Sequence, residues 1–227
     1  MFIPEYRLSV RPGATQEPRN PFPAALLDCL AGYLYLLELG FKPENIIVGG
    51  DSAGANLALA LAHLLPTVGL AVPGQLLLLS PAVDCALSHS GLTASATTNF
   101  TTDYAALFFT TRVTIDAYRG EAFSAEDAAT SMWLSAGGRD VSATSAAGWF
   151  SGLRQSKTLI LAGGLESALD GMRTLRDRIN ADLGDDKKDR LVWHEESDAT
   201  HDWPNVSFWE PEGEQTVDLI VRFIEGS

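Results

Sequence analysis

A serine between glycines, an acid and a histidine are spaced along this chain in a way that suits nucleophilic chemistry. Ser52 lies in Gly50-Asp51-Ser52-Ala53-Gly54, directly after the β-branched run Ile46-Ile47-Val48 and directly before an Ala- and Leu-rich stretch. A small hydroxyl flanked by glycines at a strand-to-helix turn stands clear of a sheet and can be reached by a base, which is what a nucleophilic serine needs. The backbone N–H of Ala53, the residue after the nucleophile, is then the natural donor to a developing oxyanion. Glu166 follows a later apolar run, and His201 lies in Ser-Asp-Ala-Thr-His-Asp-Trp beyond another. Such a histidine would take the serine proton, while the acid holds its tautomer and stabilises the imidazolium that forms.

Each assignment has a competitor. Of the four histidines, His63 falls in an apolar helix pattern and reads as packed, and His89 falls in a Ser/Thr-rich stretch and reads as exposed. His194 lies inside the strand-like Arg-Leu-Val-Trp-His-Glu-Glu, where sheet packing would fix it, whereas His201 is on the loop beyond, free to approach Ser52. Asp170 competes with Glu166 for the acid, but it lies three residues after Ser167, where a capping-box carboxylate would satisfy helix N–H groups. Glu166 has no comparable structural task and is the expected acid.

The elements that must position these residues follow from apolar periodicity. A strand is expected at Phe2–Leu8, then a helix from Ala24 with Pro23 at its start and Gly40 beyond its end, carrying Leu26, Leu30, Tyr33, Leu34 and Leu37 inward. Further strands are expected at Asn45–Gly49, Gln75–Leu79, Lys157–Ala162 and Arg190–His194. The helix Ala53–Leu65 is apolar on almost every face, so it should be packed between layers, and Pro66 should end it. A helix Ser167–Leu183 closed by Gly184, a solvated Asp-Asp-Lys-Lys-Asp loop, and a last amphipathic helix with Val217, Ile220, Val221 and Ile224 complete the chain.

Strands alternating with helices argue for a mostly parallel, doubly wound α/β sheet, in which ligands gather at the carboxyl ends of the strands. Ser52, Glu166 and His201 each lie just past a strand. Residues 85–150 break the alternation: rich in Ser, Thr and Ala, with helix-like pieces at Asp103–Tyr118 and Ala125–Ser135, they read as an inserted cap between core parts 1–84 and 151–227. The run Ser88–Thr102 reads as a mobile start to that cap.

With 227 residues, 46% of them hydrophobic and 20% charged, the chain can bury a sizeable core as one domain with an insertion. The formal net charge of −13 repels phosphate backbones, so nucleic acid is not an expected partner. No stretch has the length and apolarity of a membrane span, and the first residues carry no basic-then-apolar leader, which favours a cytoplasmic setting. The sequons at Asn99 and Asn205 are then chance occurrences. Cys29 and Cys85 read as ordinary thiols whose spacing does not establish a disulfide, and neither looks metal-bound.

Several segments together resemble the hormone-sensitive-lipase-like esterases of the α/β-hydrolase fold. Pro-Glu-Tyr-Arg-Leu-Ser with Asn-Pro-Phe-Pro-Ala-Ala-Leu-Leu-Asp is similar to that family's DYRLAPE…PFPAALED stretch, and IIVGGDSAGANLALAL to its serine segment. LLLLSPAVD follows the next strand as in the family, TLILAGGLESALDGM resembles the acid segment with Glu166 at the acid position, and THDW resembles the histidine segment. The resemblance implies an α/β-hydrolase sheet with an inserted helical cap, and a carboxylic-ester hydrolase working through an acyl-enzyme on Ser52, His201 and Glu166. It implies no metal or cofactor, and a small-molecule ester as partner.

One departure bears on activity. No His-Gly-Gly-Gly run, the family's main source of oxyanion donors, occurs in the sequence. In the family's strand order a strand from that upstream portion would separate the Phe2–Leu8 strand from the Asn45–Gly49 strand. The expectation is therefore an α/β-hydrolase sheet without its N-terminal strands. Two functional readings remain: an esterase of small to medium apolar esters, its pocket lined by cap residues from among Phe100, Tyr104, Phe108, Phe109, Trp133, Trp149 and Phe150, most of which are expected to be cap core, or a truncated, weakly active or non-catalytic protein of the same fold that binds a ligand or partner. Oligomeric state is not legible.

Overall fold

The structure, a computed structural model, describes residues 1–11, 13, 15, 19–110, 112–186, 190–206 and 209–226. Its centre is a parallel sheet of four strands in the order β1-β2-β3-β4: β1 Ile47–Asp51, β2 Gln75–Leu79, β3 Lys157–Gly163 and β4 Leu191–Glu196. Register is continuous across it, with Val48 beside Leu76, Leu76 beside Thr158, and Leu159 beside Val192. β2 and β3, paired on both edges and covered on both faces, read as unbroken apolar runs.

Helix α1 (Ala24–Glu38), α2 (Ala53–Thr67), α8 (Leu169–Leu183) and α9 (Glu212–Glu225) make the layers. Ala58, Leu59 and Ala62 of α2 and Leu175 and Ile179 of α8 pack on Leu76, Leu78 and Ile160. The opposite face of the sheet, at Leu159 and Leu161, is covered by Phe223 of α9 together with Trp203. Helix α1 lies behind α2, Leu26 and Tyr33 meeting Leu57, Leu61 and Leu65. That double burial explains why α2 has almost no polar face. Gly40 and Gly184 follow α1 and α8 with φ of 89° and 58°, the left-handed conformation that ends a helix at little cost for glycine.

Several expectations need correction. Phe2–Leu8 forms no strand among the described residues. Its alternation packs the segment on α1, the Phe2 ring 5.8 Å from that of Tyr35 and the Arg7 guanidinium bidentate on Asp28. A side chain on Gly32 would crowd Phe2 and Pro4, so the bare glycine lets the segment lie close. Pro66 does not stop α2, which runs to Thr67; the missing N–H falls in the last turn, where Val68, Gly69 and Leu70 N–H groups take up the free carbonyls. Of the apolar stripe on α9, Val217, Val221 and Ile224 are exposed, and the helix's buried residues are Gly213, Thr216 and Phe223.

Between β2 and β3 the described residues form the short helices α3 (Ser95–Thr98), α4 (Ala106–Thr110), α5 (Val113–Arg119), α6 (Ala125–Thr130) and α7 (Ala143–Ala146). The single helix expected over Asp103–Tyr118 is thus two, with Thr111 outside the described residues. The second half of the Ser88–Thr102 run is anchored. Asn99 Nδ2 donates to the carbonyls of Gly164 and Glu166, and Ser95 Oγ donates to Ser167 O. That leaves the Asn99 amide engaged rather than presented. Of the expected solvated loop, Lys187, Lys188 and Asp189 lie outside the described residues, as does Ser207 of the second sequon. Cys29 and Cys85 are free thiols. No helix among the described residues is long and apolar enough to cross a membrane.

Candidate active site

Ser52 sits at the tip of β1 with φ 51° and ψ −115°, a conformation that few non-glycine residues adopt. The turn is fixed from three directions: Ser52 N–H donates to Leu79 O, and Ser52 O accepts from Asn56 N–H and Ala82 N–H. A Cβ on Gly50 would collide with the backbone of Gly54, so the first glycine of the motif is a close-approach requirement. Gly54 is different, since a Cβ there would meet open space. Ala53 opens α2, and as the first helical residue its N–H has no acceptor within the helix.

Glu166 and His201 meet directly. Glu166 is fully buried just past β3, and its Oε2 accepts from His201 Nδ1 at 2.8 Å. Its Oε1 accepts from Gly163 N–H at 2.6 Å and from Ser80 Oγ at 2.7 Å. A carboxylate with every contact a donor is held in one orientation. Burial works against the His201 imidazolium, but the hydrogen bond and charge of Glu166, followed by the charges of Asp202 and Asp103, outweigh it and raise the imidazole above its ordinary value. The Phe109 ring stands edge-on to His201, centroids 4.9 Å apart.

Ser52, Ala53 and His201 line one cleft of about 1030 Å³ at the carboxyl ends of the strands, the place where ligands bind in parallel α/β sheets. Tyr104, Phe108 and Phe109 also line it. Phe150 is instead buried in the main core, Trp149 stacks on His63 at 3.6 Å with Trp133 against both, and Phe100 is exposed. Among the described residues His201 Nε2 meets Asp202 Oδ2, at 3.3 Å, rather than the Ser52 hydroxyl.

A family model for the alpha/beta hydrolase fold matches residues 3–204. The chain belongs to the α/β-hydrolase-fold family. It is 46% identical over 72 residues to Esterase LipU of Mycobacterium tuberculosis, a match covering 32% of this chain and 24% of that protein. It is 42% identical over 71 residues to an acetyl-hydrolase of Streptomyces hygroscopicus, covering 31% and 24%. Among solved structures it is similar to an esterase from the bacterial hormone-sensitive lipase family, with TM-score 0.70 and 28% identity over 97% of this chain and 63% of that one. A hormone-sensitive lipase from a metagenome library gives TM-score 0.72 and 26% identity over 97% and 65%. The matches to curated relatives thus span about a quarter of those proteins, and the chain spans just under two thirds of these solved structures.

The competing residues of this α/β hydrolase take structural places. Asp170 does not cap its own helix: α8 begins at Leu169 after Ala168, and Asp170 Oδ2 accepts from Ser95 N–H at 2.8 Å, tying α8 to α3. The reciprocal bond runs from Asp170 N–H to Ser95 Oγ, so the partner that a capping serine would supply comes from across space. His194 lies within β4, 3.6 Å from Glu196. His63 Nδ1 pairs with Trp149 O, and His89, expected to be exposed, is half-buried with Nε2 on Gly137 O. Sequence reasoning missed Ser80 and Asp202. Ser80 was detectable as the polar residue just past β2, the same criterion that found Ser52 and Glu166. Asp202 carried no signal beyond its adjacency to His201.

Proposed function

We propose that the chain is the catalytic portion of a serine carboxylic-ester hydrolase acting on small to medium apolar esters. Ser52 is the nucleophile, His201 the general base and then acid, Glu166 the residue that orients and charge-stabilises the imidazole, and Ala53 N–H an oxyanion donor. The observation that carries this reading is the buried Glu166–His201 pair opening on the cleft that holds Ser52 in its strained turn. In the acylation step His201 Nε2 takes the Ser52 hydroxyl proton as Oγ bonds to the acyl carbon. The same proton is then given to the departing alkoxide, and water repeats the sequence to release the acid. Residues 85–150, which contribute Tyr104, Phe108 and Phe109 to the cleft, act as the cap that selects the ester.

The weakly active reading keeps one observation in its favour: Nε2 faces Asp202 rather than Ser52. The two are separated by hydrolysis of p-nitrophenyl acetate, butyrate and decanoate by wild type and Ser52→Ala. Turnover of the short esters that vanishes in Ser52→Ala supports the esterase. Equal background rates from both proteins support the binding protein.

A further inference from the structure

Each nitrogen of the His201 imidazole faces a carboxylate. Glu166 holds Nδ1, and Asp202 Oδ2 stands 3.3 Å from Nε2, the nitrogen that must be vacant for a base to work. The Asp202 carboxylate is set in place by its backbone. The residue is left-handed, φ 52° and ψ 33°, and its N–H donates to Ser80 Oγ at 3.0 Å. That hydroxyl is the one that donates to Glu166 Oε1, so Ser80 fixes both carboxylates relative to one ring.

We propose that Asp202 is a positioning residue that caps the base, sharing a proton with His201 Nε2 in the resting enzyme and yielding that nitrogen to Ser52 only as the pair deprotonates. The inference rests on the esterase reading. An imidazole flanked by two carboxylates is most stable with protons on both nitrogens, and in that form it cannot accept the serine proton. When the shared proton leaves to water, the Nε2 lone pair and the Asp202 carboxylate repel. The carboxylate then turns off, and Nε2 can receive the Ser52 hydroxyl proton as Oγ attacks.

The groups facing the pair reinforce the capped state. Glu166 from the loop after β3, Asp103 from the segment before α4 and Asp51 from the end of β1 each raise His201, Asp202 or both, and the Tyr104 ring faces His201 at 6.2 Å. Asp103 is itself tethered, accepting from Ser167 N–H and Ala105 N–H. Of the arginines along the cleft, Arg7 is committed to Asp28, and Arg11 lies on the same wall. Burial above all pushes Asp202 up to about 7. The pair titrates as a unit, so its midpoints belong to both residues.

The test is the pH dependence, from pH 5 to 9, of the rate at which a fluorophosphonate labels wild type, Asp202→Asn and Asp202→Gly. Both substitutions remove the charge and both suit a left-handed position. In both variants the acid limb should move down by about one pH unit, so that the ratio of the rate at pH 6 to that at pH 9 rises roughly tenfold. A limb unmoved in a folded variant overturns the proposal. An imidazole ¹⁵N titration of His201 gives a second readout independent of labelling: the Nε2 proton should persist to higher pH in wild type than in either variant, and equal midpoints would overturn the cap. Labelling that is equal in wild type and Ser52→Ala would instead remove the esterase reading, while the imidazole titration still decides the Asp202–His201 pairing.

Discussion

Replacing Glu166 by Gln is the perturbation whose consequence the geometry fixes most fully. The wild-type carboxylate receives only donors: Gly163 N–H and Ser80 Oγ at Oε1, and His201 Nδ1 at Oε2. A glutamine offers one acceptor oxygen and one NH₂. With the oxygen at the Oε1 place both donors there are kept, and the NH₂ faces Nδ1. The reverse orientation sets NH₂ against a backbone N–H that cannot rotate, leaving a buried donor unpaired at a cost of about 1–3 kcal/mol. The first orientation therefore wins, and it is satisfied only when Nδ1 carries the lone pair and Nε2 the proton. That is the tautomer unable to accept from Ser52. The analogous Asp-to-Asn change in serine proteases costs about 10⁴ in kcat, equivalent to about 5 kcal/mol of transition-state stabilisation, and a loss of that order is expected here. The assay is turnover of p-nitrophenyl acetate per folded chain, with folding followed by circular dichroism. A Glu166→Gln protein that melts like wild type and keeps more than a tenth of its turnover would refute the reasoning.

Further expectations follow from single contacts. Gly50→Ala should fail to fold, because its Cβ would strike the Gly54 backbone, whereas Gly54→Ala should melt at or above the wild-type temperature, its Cβ meeting open space in the first turn of α2; comparing the two midpoints by calorimetry checks the turn. Ser80→Ala strands the buried Asp202 N–H and removes a donor from Glu166, so a loss of about 1–3 kcal/mol is expected, lowering the midpoint by several degrees. Burial above all raises the folded Asp202 carboxyl, to about 7, above the ordinary carboxylate value that it has in the unfolded chain, so its contribution to stability falls as pH rises through that interval. Urea midpoints of Asp202→Asn and wild type should consequently be similar at pH 4 and separate by pH 8, with the variant the more stable; a constant difference would contradict the raised carboxyl.

Elements governed by local pattern were legible in the sequence. The β-branched run before Gly50, the apolar runs at Leu76–Leu79 and Thr158–Ala162, and the glycines closing α1 and α8 all lie where periodicity and capping put them. The places of Ser52, Glu166 and His201, each just past a strand of a parallel sheet, were legible for a related reason. Failures came where a tertiary partner outweighed local preference. Phe2–Leu8 alternates like a strand, but its side chains are used against α1. Asp170 has capping-box spacing, yet Ser95 from a distant segment takes both of its bonds. Trp133, Trp149 and Phe150 pack in the interior, as the reading of most cap aromatics as core expects. Ser80 and Asp202 become meaningful only when three separate loops are brought together around His201, which no spacing along the chain reveals.

The central claim is that Ser52 is the nucleophile, activated by His201, and intact-mass analysis after treatment with a fluorophosphonate tests it most directly. Wild type should carry a single adduct, located to the peptide containing Gly50–Gly54, lost in Ser52→Ala and strongly slowed in His201→Ala at an unchanged far-ultraviolet spectrum. An adduct of the same stoichiometry on folded Ser52→Ala would contradict it.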